Sequence, residues 1–470
     1  MSRTVREQLF EALDTLKEAN LLLKDLIGTS QTDELANMLA DCQDCAIAIG
    51  TRIDSIYEEG TQSVYLLEKY CEGIYELSEA MEPEVQKVRY RGLIKRLSAI
   101  YETMETELDD KLEVVFLPYN VTMWDSLESI WMAAKEDAKC VPYVIPIPYY
   151  DKNSDGSFGE EHYDGKDYPE CVPVIDYREY DFELRQPDII FIHNPYDGGN
   201  RVTSVHPFFY SKNLKKYAKT LVYVPYFVMA GNWIGENLIL TAGVVYADYV
   251  IVQNEREKEF YINCYKMHYP QLDISGKFLP LGSPKLDKVH MLKKNTVRIP
   301  DVWIEKIQNK KVVLYNTGIG SFLHYGERYL LKIENVLEWF KEREDVILLW
   351  RPHPLMEATV ASRGQELLKR FIQMKDTFVV DDRGIYDDTP DMYPAIALSD
   401  MYYGDHSSLV WLYLETKKKV QIQNVEVMDE AVPYEESNSQ KSITQNQGNM
   451  ENNCGKQIYE MIRSIINFMK

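Results

Sequence analysis

Leu9, Leu13, Leu16, Leu23 and Ile27 recur at the three-to-four-residue spacing of one helix face, so the chain opens on an amphipathic helix. Gly28-Thr29-Ser30 interrupts it, and Thr32-Asp33-Glu34 supplies the capping chemistry of a second helix. Two further helical patterns lie near 61–80 and 83–109, the latter starting just after Pro83. Residues 1–110 therefore predict an all-α region, either a helical bundle or an oligomerisation arm. From about 112 the pattern changes to short apolar runs alternating with helical ones. Val114–Leu117, Val141–Ile147, Asp188–His193, Thr220–Val224 and Tyr249–Val252 predict strands, with helices over Trp124–Lys139 and from Glu255. Residues 151–170 are polar and glycine-containing, without periodicity, and predict a loop.

A polar stretch around Lys293–Pro300 predicts a linker, after which the alternation resumes. Strands are expected at Val312–Asn316, Val346–Trp350, Thr377–Val380, Met401–Tyr403 and Val420–Ile422, with helices near 325–343, 359–375 and 407–417. Residues 433–455 predict a polar loop and 455–469 a closing amphipathic helix. Strands alternating with helices imply parallel sheets. The expected architecture is α/β: a helical region, 1–110, followed by two doubly wound, Rossmann-like domains, 111–290 and 291–470, facing a cleft.

Charge narrows the function. The 470 residues carry 52 Lys+Arg against 74 Asp+Glu, a net charge of −22. That balance argues against a general nucleic-acid binder and a polybasic membrane anchor, because each needs a basic face. No signal peptide and no apolar run of about 18 residues is visible, which places the expected location in the cytoplasm. The 7 Cys are scattered, as suits a reducing compartment. Cys42-x-x-Cys45 has no second Cys/His pair at zinc-site spacing, so neither a metal nor a cofactor is expected.

In parallel sheets, ligands sit at the carboxyl ends of the strands. Leu348–Pro354 puts Arg351 and His353 directly after a buried strand; a guanidinium there suits a diphosphate, and the imidazole can donate to a phosphate oxygen or move a proton. Gly404-Asp405-His406 leads to Ser407 and Ser408 at the start of a helix, where free backbone N–H groups favour an anion. Asp188–Asp197 ends a strand on His193, with Asp197 close enough in sequence to orient it as a base. His206, before Pro207, and His324, in a glycine-containing loop after a strand, are further candidates for acceptor binding.

Taken together, Arg351-Pro352-His353-Pro354, Asp391-x-Tyr393 and Asp405-x-Ser407-Ser408 resemble the C-terminal signature of CDP-glycerol glycerophosphotransferases, the family of teichoic-acid primases and polymerases with capsule-making relatives. Gly282-Ser283-Pro284-Lys285-Leu286-Asp287 resembles that family's G-x-P-x-x-D, and Val312–Thr317 its strand and loop into the second domain. The resemblance covers roughly 112–425. It implies a GT-B fold whose C-terminal domain holds CDP-glycerol or another CDP-polyol. Polyol phosphate would pass to a hydroxyl of a polyol-phosphate or glycan acceptor, lipid-linked in many of the family, and CMP would leave. By carry-over His353 is catalytic, and Arg351, Thr317, Asp405, Ser407 and Ser408 hold the donor phosphates. The family's W-H-G-T histidine has no counterpart in the run from Thr220 to Gly231, which leaves His193 as the replacement base. Two rivals stand beside this reading: a GT-B glycosyltransferase using a nucleotide sugar, and a non-catalytic scaffold of the same descent. Peripheral contact with the inner membrane face and self-association through 1–110 stay open.

Overall fold

The computed structural model describes the chain apart from residues 30, 58–59, 109, 154, 201, 229–234, 273, 275, 293–296, 308, 423–452 and 469–470. It contains two compact units that do not follow chain order. The first comprises Met1–Val121, Ala133–Tyr223 and Thr241–Tyr249; the second comprises Thr122–Met132, Val224–Leu240 and Val250–Lys470.

The first unit begins with α1 (Arg3–Leu26), α2 (Thr32–Tyr57), α3 (Gln62–Ser78) and α4 (Pro83–Glu107). Each helix packs on the next and α1 returns to α4, so the region is a four-helix bundle. The leucine stripe that predicts α1 is its buried face: Leu9, Leu13, Leu16 and Leu23 join Leu39, Ile49, Leu67, Ile74 and Ile100 in one core. Cys42 is buried in that core, and burial pushes its thiol up to about 11. The bundle is tied to the sheet behind it by one buried carboxylate. Asp188 accepts the N–H groups of Arg3 (3.0 Å), Thr4 (3.1 Å) and Glu113 (2.8 Å), joining the start of α1 to two strand ends.

Those strands are β1 (Leu112–Leu117), β2 (Cys140–Val144), β3 (Tyr149–Lys152), β4 (Phe158–His162), β5 (Ile189–Ile192), β6 (Thr203–Val205) and β7 (Thr220–Tyr223). β2, β1, β5 and β7 lie in that order as parallel neighbours. β4, β3 and β6 form a small antiparallel sheet over part of the segment expected to be a loop. Its turn carries Asp155-Gly156, with Gly156 at φ +84°, a hairpin signal that short and highly polar flanks conceal.

In the second unit β8 (Tyr249–Val252) pairs with β9 (Phe278–Pro280) in parallel, Val250 opposite Phe278. Five further strands follow: β10 (Lys311–Thr317), β11 (Val346–Pro352), β12 (Gly384–Tyr386), β13 (Met401–Gly404) and β14 (Lys419–Ile422). They form a parallel sheet in the order β12-β11-β10-β13-β14. That is the 3-2-1-4-5 order of a doubly wound sheet, and its direction of growth reverses between β10 and β13. The fold is thus of the expected α/β class, a helical region with parallel Rossmann-like sheets. The polar loop expected over 433–455 falls almost wholly outside the described residues, as does part of the linker expected at 293–300.

Three local expectations are corrected. Thr377–Val380 is the end of the helix Gln365–Val380, not a strand. Its β-branched residues read as a strand, yet Phe371, Met374 and Phe378 follow the helical stripe, Phe378 meets Trp350 edge-on at 5.5 Å, and Val380 is 81% exposed. The true strand there, β12, is only three residues long. The glycine-containing run after β10 is a helix, Ile319–Tyr325, rather than a loop, since Phe322 buries and holds it. The helix expected from Trp124 starts at Glu128, after a 3-10 turn over Val121–Ser126.

Two buried carboxylates tie the second unit's early residues to its late ones. Asp125 receives Lys285 Nζ at 2.9 Å and the Tyr393 hydroxyl. Asp287 accepts the N–H groups of Cys454 (2.8 Å) and Gly455 (2.7 Å) at the start of the helix Cys454–Phe468, and the Ser129 hydroxyl at 2.8 Å. Lys285 and Asp287 from the G-x-P-x-x-D segment, and Tyr393 from D-x-Y, therefore serve as internal anchors. At the β13 end, a Cβ on Gly404 would strike the backbone of Asn316, whose nitrogen would lie 2.8 Å away. Gly404→Ala is expected to cost about 2–3 kcal/mol, read as a lowered midpoint in urea unfolding.

Candidate functional site

The reversal between β10 and β13 opens at the carboxyl ends of those strands, and two successive residues of β10 organise what surrounds it. Thr317 accepts the His353 backbone N–H through its carbonyl (2.9 Å). Asn316 accepts the Ser407 hydroxyl (2.8 Å) on Oδ1 and donates from Nδ2 to the Arg351 carbonyl (2.9 Å). The ends of β11 and β13 are thereby fixed to one strand between them.

His353 is half-buried, and burial lowers its pKa from the usual 6.5. Its Nδ1 accepts the Leu355 N–H at 3.1 Å, so the neutral ring carries its proton on Nε2. It thus offers a hydrogen-bond donor at neutral pH.

Ser407 caps the helix Ser408–Glu415 in extended backbone (φ −145°), but its hydroxyl is turned to Asn316, and no side chain caps the first turn. Ser408 is exposed at the first helical position. An uncapped helix start leaves its N–H groups to solvent or to an anion.

Asp405 lies beneath this surface, 1% exposed, and accepts from Gly318 N–H (2.8 Å), Lys332 Nζ (3.1 Å) and the Tyr329 hydroxyl. It is a hub that holds the β10 and β13 loops together. Arg351, also buried, donates from Nη1 to Asp387 and from Nη2 to the Thr389 carbonyl (2.9 Å). Thr317 turns its hydroxyl inward to accept Trp350 Nε1 at 3.1 Å. Both formal cations here, Lys332 and Arg351, are consumed by internal carboxylates. What the surface offers an anion is oriented dipoles: the His353 Nε2–H and the start of the Ser408 helix.

The structure places His353, Arg351, Thr317, Asp405, Ser407 and Ser408 around one set of strand ends. Asn316, Tyr329, Lys332 and Asp387 were missed. Lys332 left a readable trace, since a lysine among Leu330, Ile333 and Val336 on a buried helix face demands a buried partner.

The remaining candidates lie in the first unit or apart on the surface. His193 ends β5, fully buried, and its Nε2 accepts the Tyr119 N–H at 3.1 Å, so that lone pair is already engaged. Asp197 does not orient it: both carboxylate oxygens receive Ser211, through its N–H (2.9 and 3.0 Å) and its hydroxyl (2.7 Å). Asp197 instead holds Ser211, the first residue of the short helix Ser211–Leu214. His206 is exposed and caps the turn Pro207–Phe209 by accepting the Phe208 N–H on Nδ1. His324 is exposed on the helix Ile319–Tyr325, its ring edge-on to Tyr325.

Comparison with known proteins bears on the second unit. Residues 237–429 match the family model described as CDP-Glycerol:Poly(glycerophosphate) glycerophosphotransferase. No curated protein matches the chain. Among solved structures, the Methanocaldococcus jannaschii UDP-GlcNAc 2-epimerase in complex with UDP-GlcNAc and UDP is 12% identical at a TM-score of 0.46, covering 76% of this chain and 99% of that one. The S. aureus MnaA–UDP co-structure is 12% identical at 0.43, covering 66% and 79%. The wall teichoic acid polymerase TagF is 15% identical at 0.38, covering 76% and 78%. Likenesses this distant assign no activity. The strand-end site lies wholly within 237–429, and over that segment the chain is similar to the CDP-glycerol:poly(glycerophosphate) glycerophosphotransferases.

Proposed function

We propose that the protein is a transferase that moves glycerol phosphate, or a related polyol phosphate, from a CDP-activated donor to a hydroxyl of a teichoic-acid or capsular polymer or its precursor. One observation carries the reading: within the family-matching segment, the His353 Nε2–H and an uncapped helix start are anchored to successive residues of β10 at the sheet's reversal point. The acceptor oxygen attacks the phosphorus bearing the polyol, the bond to the bridging oxygen breaks, and CMP leaves with that electron pair. Charge building on the phosphoryl oxygens and on CMP would meet the helix start and the His353 donor. The acceptor proton passes to solvent or to a base. Among the described residues no helix is long and apolar enough to cross a membrane. A cytoplasmic location, with peripheral contact at the inner membrane face, belongs to this proposal, as does a lipid-linked acceptor.

A donor panel tests it. CDP-glycerol at a hundredfold excess over its Kd stabilises the fold by about 2.7 kcal/mol, a thermal shift of a few degrees. The expected result is a shift with cytidine nucleotides, and CMP release when a polyol-phosphate acceptor is added. Shifts confined to UDP-sugars, with a nucleoside diphosphate as product, would replace this reading by a glycosyltransferase.

A further inference from the structure

The helix Glu255–His268 carries Cys264 and His268 four residues apart, which puts both side chains on one face. Glu236 opens the short helix Glu236–Ile239, and its Oε2 lies 3.6 Å from His268 Nε2. One ligand atom from each of the three, a thiol sulfur, an imidazole nitrogen and a carboxylate oxygen, falls within 4.8 Å of the other two. The sulfur forms the floor, with Cys264 only 3% exposed, while Glu236 and His268 stand at the mouth.

We propose that Glu236, Cys264 and His268 form a binding site for a borderline-soft divalent cation, Zn2+, with water in the fourth position. The donor set decides the metal class. Thiolate and imidazole favour zinc over magnesium or calcium, which take oxygen ligands. Small side-chain rotations would bring donors at this spacing to zinc-ligand distances of about 2.0–2.3 Å. Zinc binding would displace the Cys264 thiol proton into solvent. A second cluster, Asp151, Glu160 and His162, has no sulfur, and His162 is already bonded to Asp151 at 3.0 Å. It carries no comparable argument. The bound ion would brace the end of the helix Glu255–His268 against the helix Glu236–Ile239, a role independent of the donor site.

Zinc titration of the full chain, stripped with a chelator, tests the site. One equivalent is expected to bind, with proton release, and cobalt substitution should give thiolate-to-metal charge-transfer absorption. Cys264→Ser and His268→Ala should each weaken binding by about a hundredfold or more, while Cys171→Ser, at an exposed cysteine, should leave it unchanged. Glu236→Gln, a surface change that spares the core, should weaken it by about tenfold. Absence of binding at micromolar zinc, or binding indifferent to Cys264, His268 and Glu236 alike, would overturn the proposal.

Discussion

Replacing Arg351 by alanine is expected to lower unfolding stability by about 3–5 kcal/mol, before any ligand is considered. The guanidinium is 7% exposed and its partner Asp387 1%, so the two charges are desolvated together. The other Asp387 oxygen is occupied by the Thr389 N–H (3.0 Å) and hydroxyl (2.6 Å), so deleting the guanidinium strands a carboxylate that nearby groups only partly satisfy. Arg351→Lys keeps the charge but loses the planar fork that also reaches the Thr389 carbonyl, and should fall between wild type and alanine. The double variant Arg351→Ala/Asp387→Ala should recover part of the loss, since it leaves no orphaned charge. Urea unfolding without nucleotide measures all three. Unchanged unfolding with abolished donor binding would show instead that the guanidinium serves the ligand.

His353→Ala should act in the opposite sense: turnover down by about 10²–10³, stability down by no more than about 1 kcal/mol. The fold loses only the Leu355 N–H contact, whereas under the proposed function the donor would lose a hydrogen bond from Nε2. His353→Gln, which can offer an amide N–H, should retain part of the activity. The pH dependence follows from burial. Because the folded-state pKa lies below 6.5, the unfolded chain binds more protons between that lowered value and 6.5. Stability through this group therefore rises with pH across that window and is level above it. Wild type should lose stability on acidification below 6.5, and His353→Gln should lose less. Full turnover in the alanine variant would remove His353 from the mechanism.

Much of this arrangement was legible in the chain. The bundle could be read because Leu9, Leu13, Leu16 and Leu23 bury on one stripe, and the parallel strands because they are continuous apolar runs. The strand-end residues His353, Asp405, Ser407 and Ser408 were legible for the same reason, since a buried strand announces where it stops. The roles within the site were harder to read. Sequence displays Arg351 as a free cation; only packing shows that Asp387, thirty-six positions on, consumes it. Tyr329 reaches Asp405 from a helix whose periodicity accounts for it as a core residue, and Lys332 beside it signals a buried partner without saying which. Thr377–Val380 misled because β-branched residues favour strands locally, while Phe378 packing on Trp350 outweighs that preference by tertiary contact.

The Asp287 anchor has a consequence for how the protein is made. Its carboxylate waits for the N–H groups of Cys454 and Gly455, which leave the ribosome more than 160 residues later, and for Ser129, which left long before. The second unit therefore cannot close as its strands are synthesised; all five of β10–β14 emerge before the helix that completes it. During that interval a charged group destined for the interior remains short of two donors, and apolar surface that this helix will cover, facing Ile458 and Ile462, is open to solvent. A nascent chain stalled after β14 would hold every residue of the strand-end site and still be a substrate for chaperones rather than a closed unit.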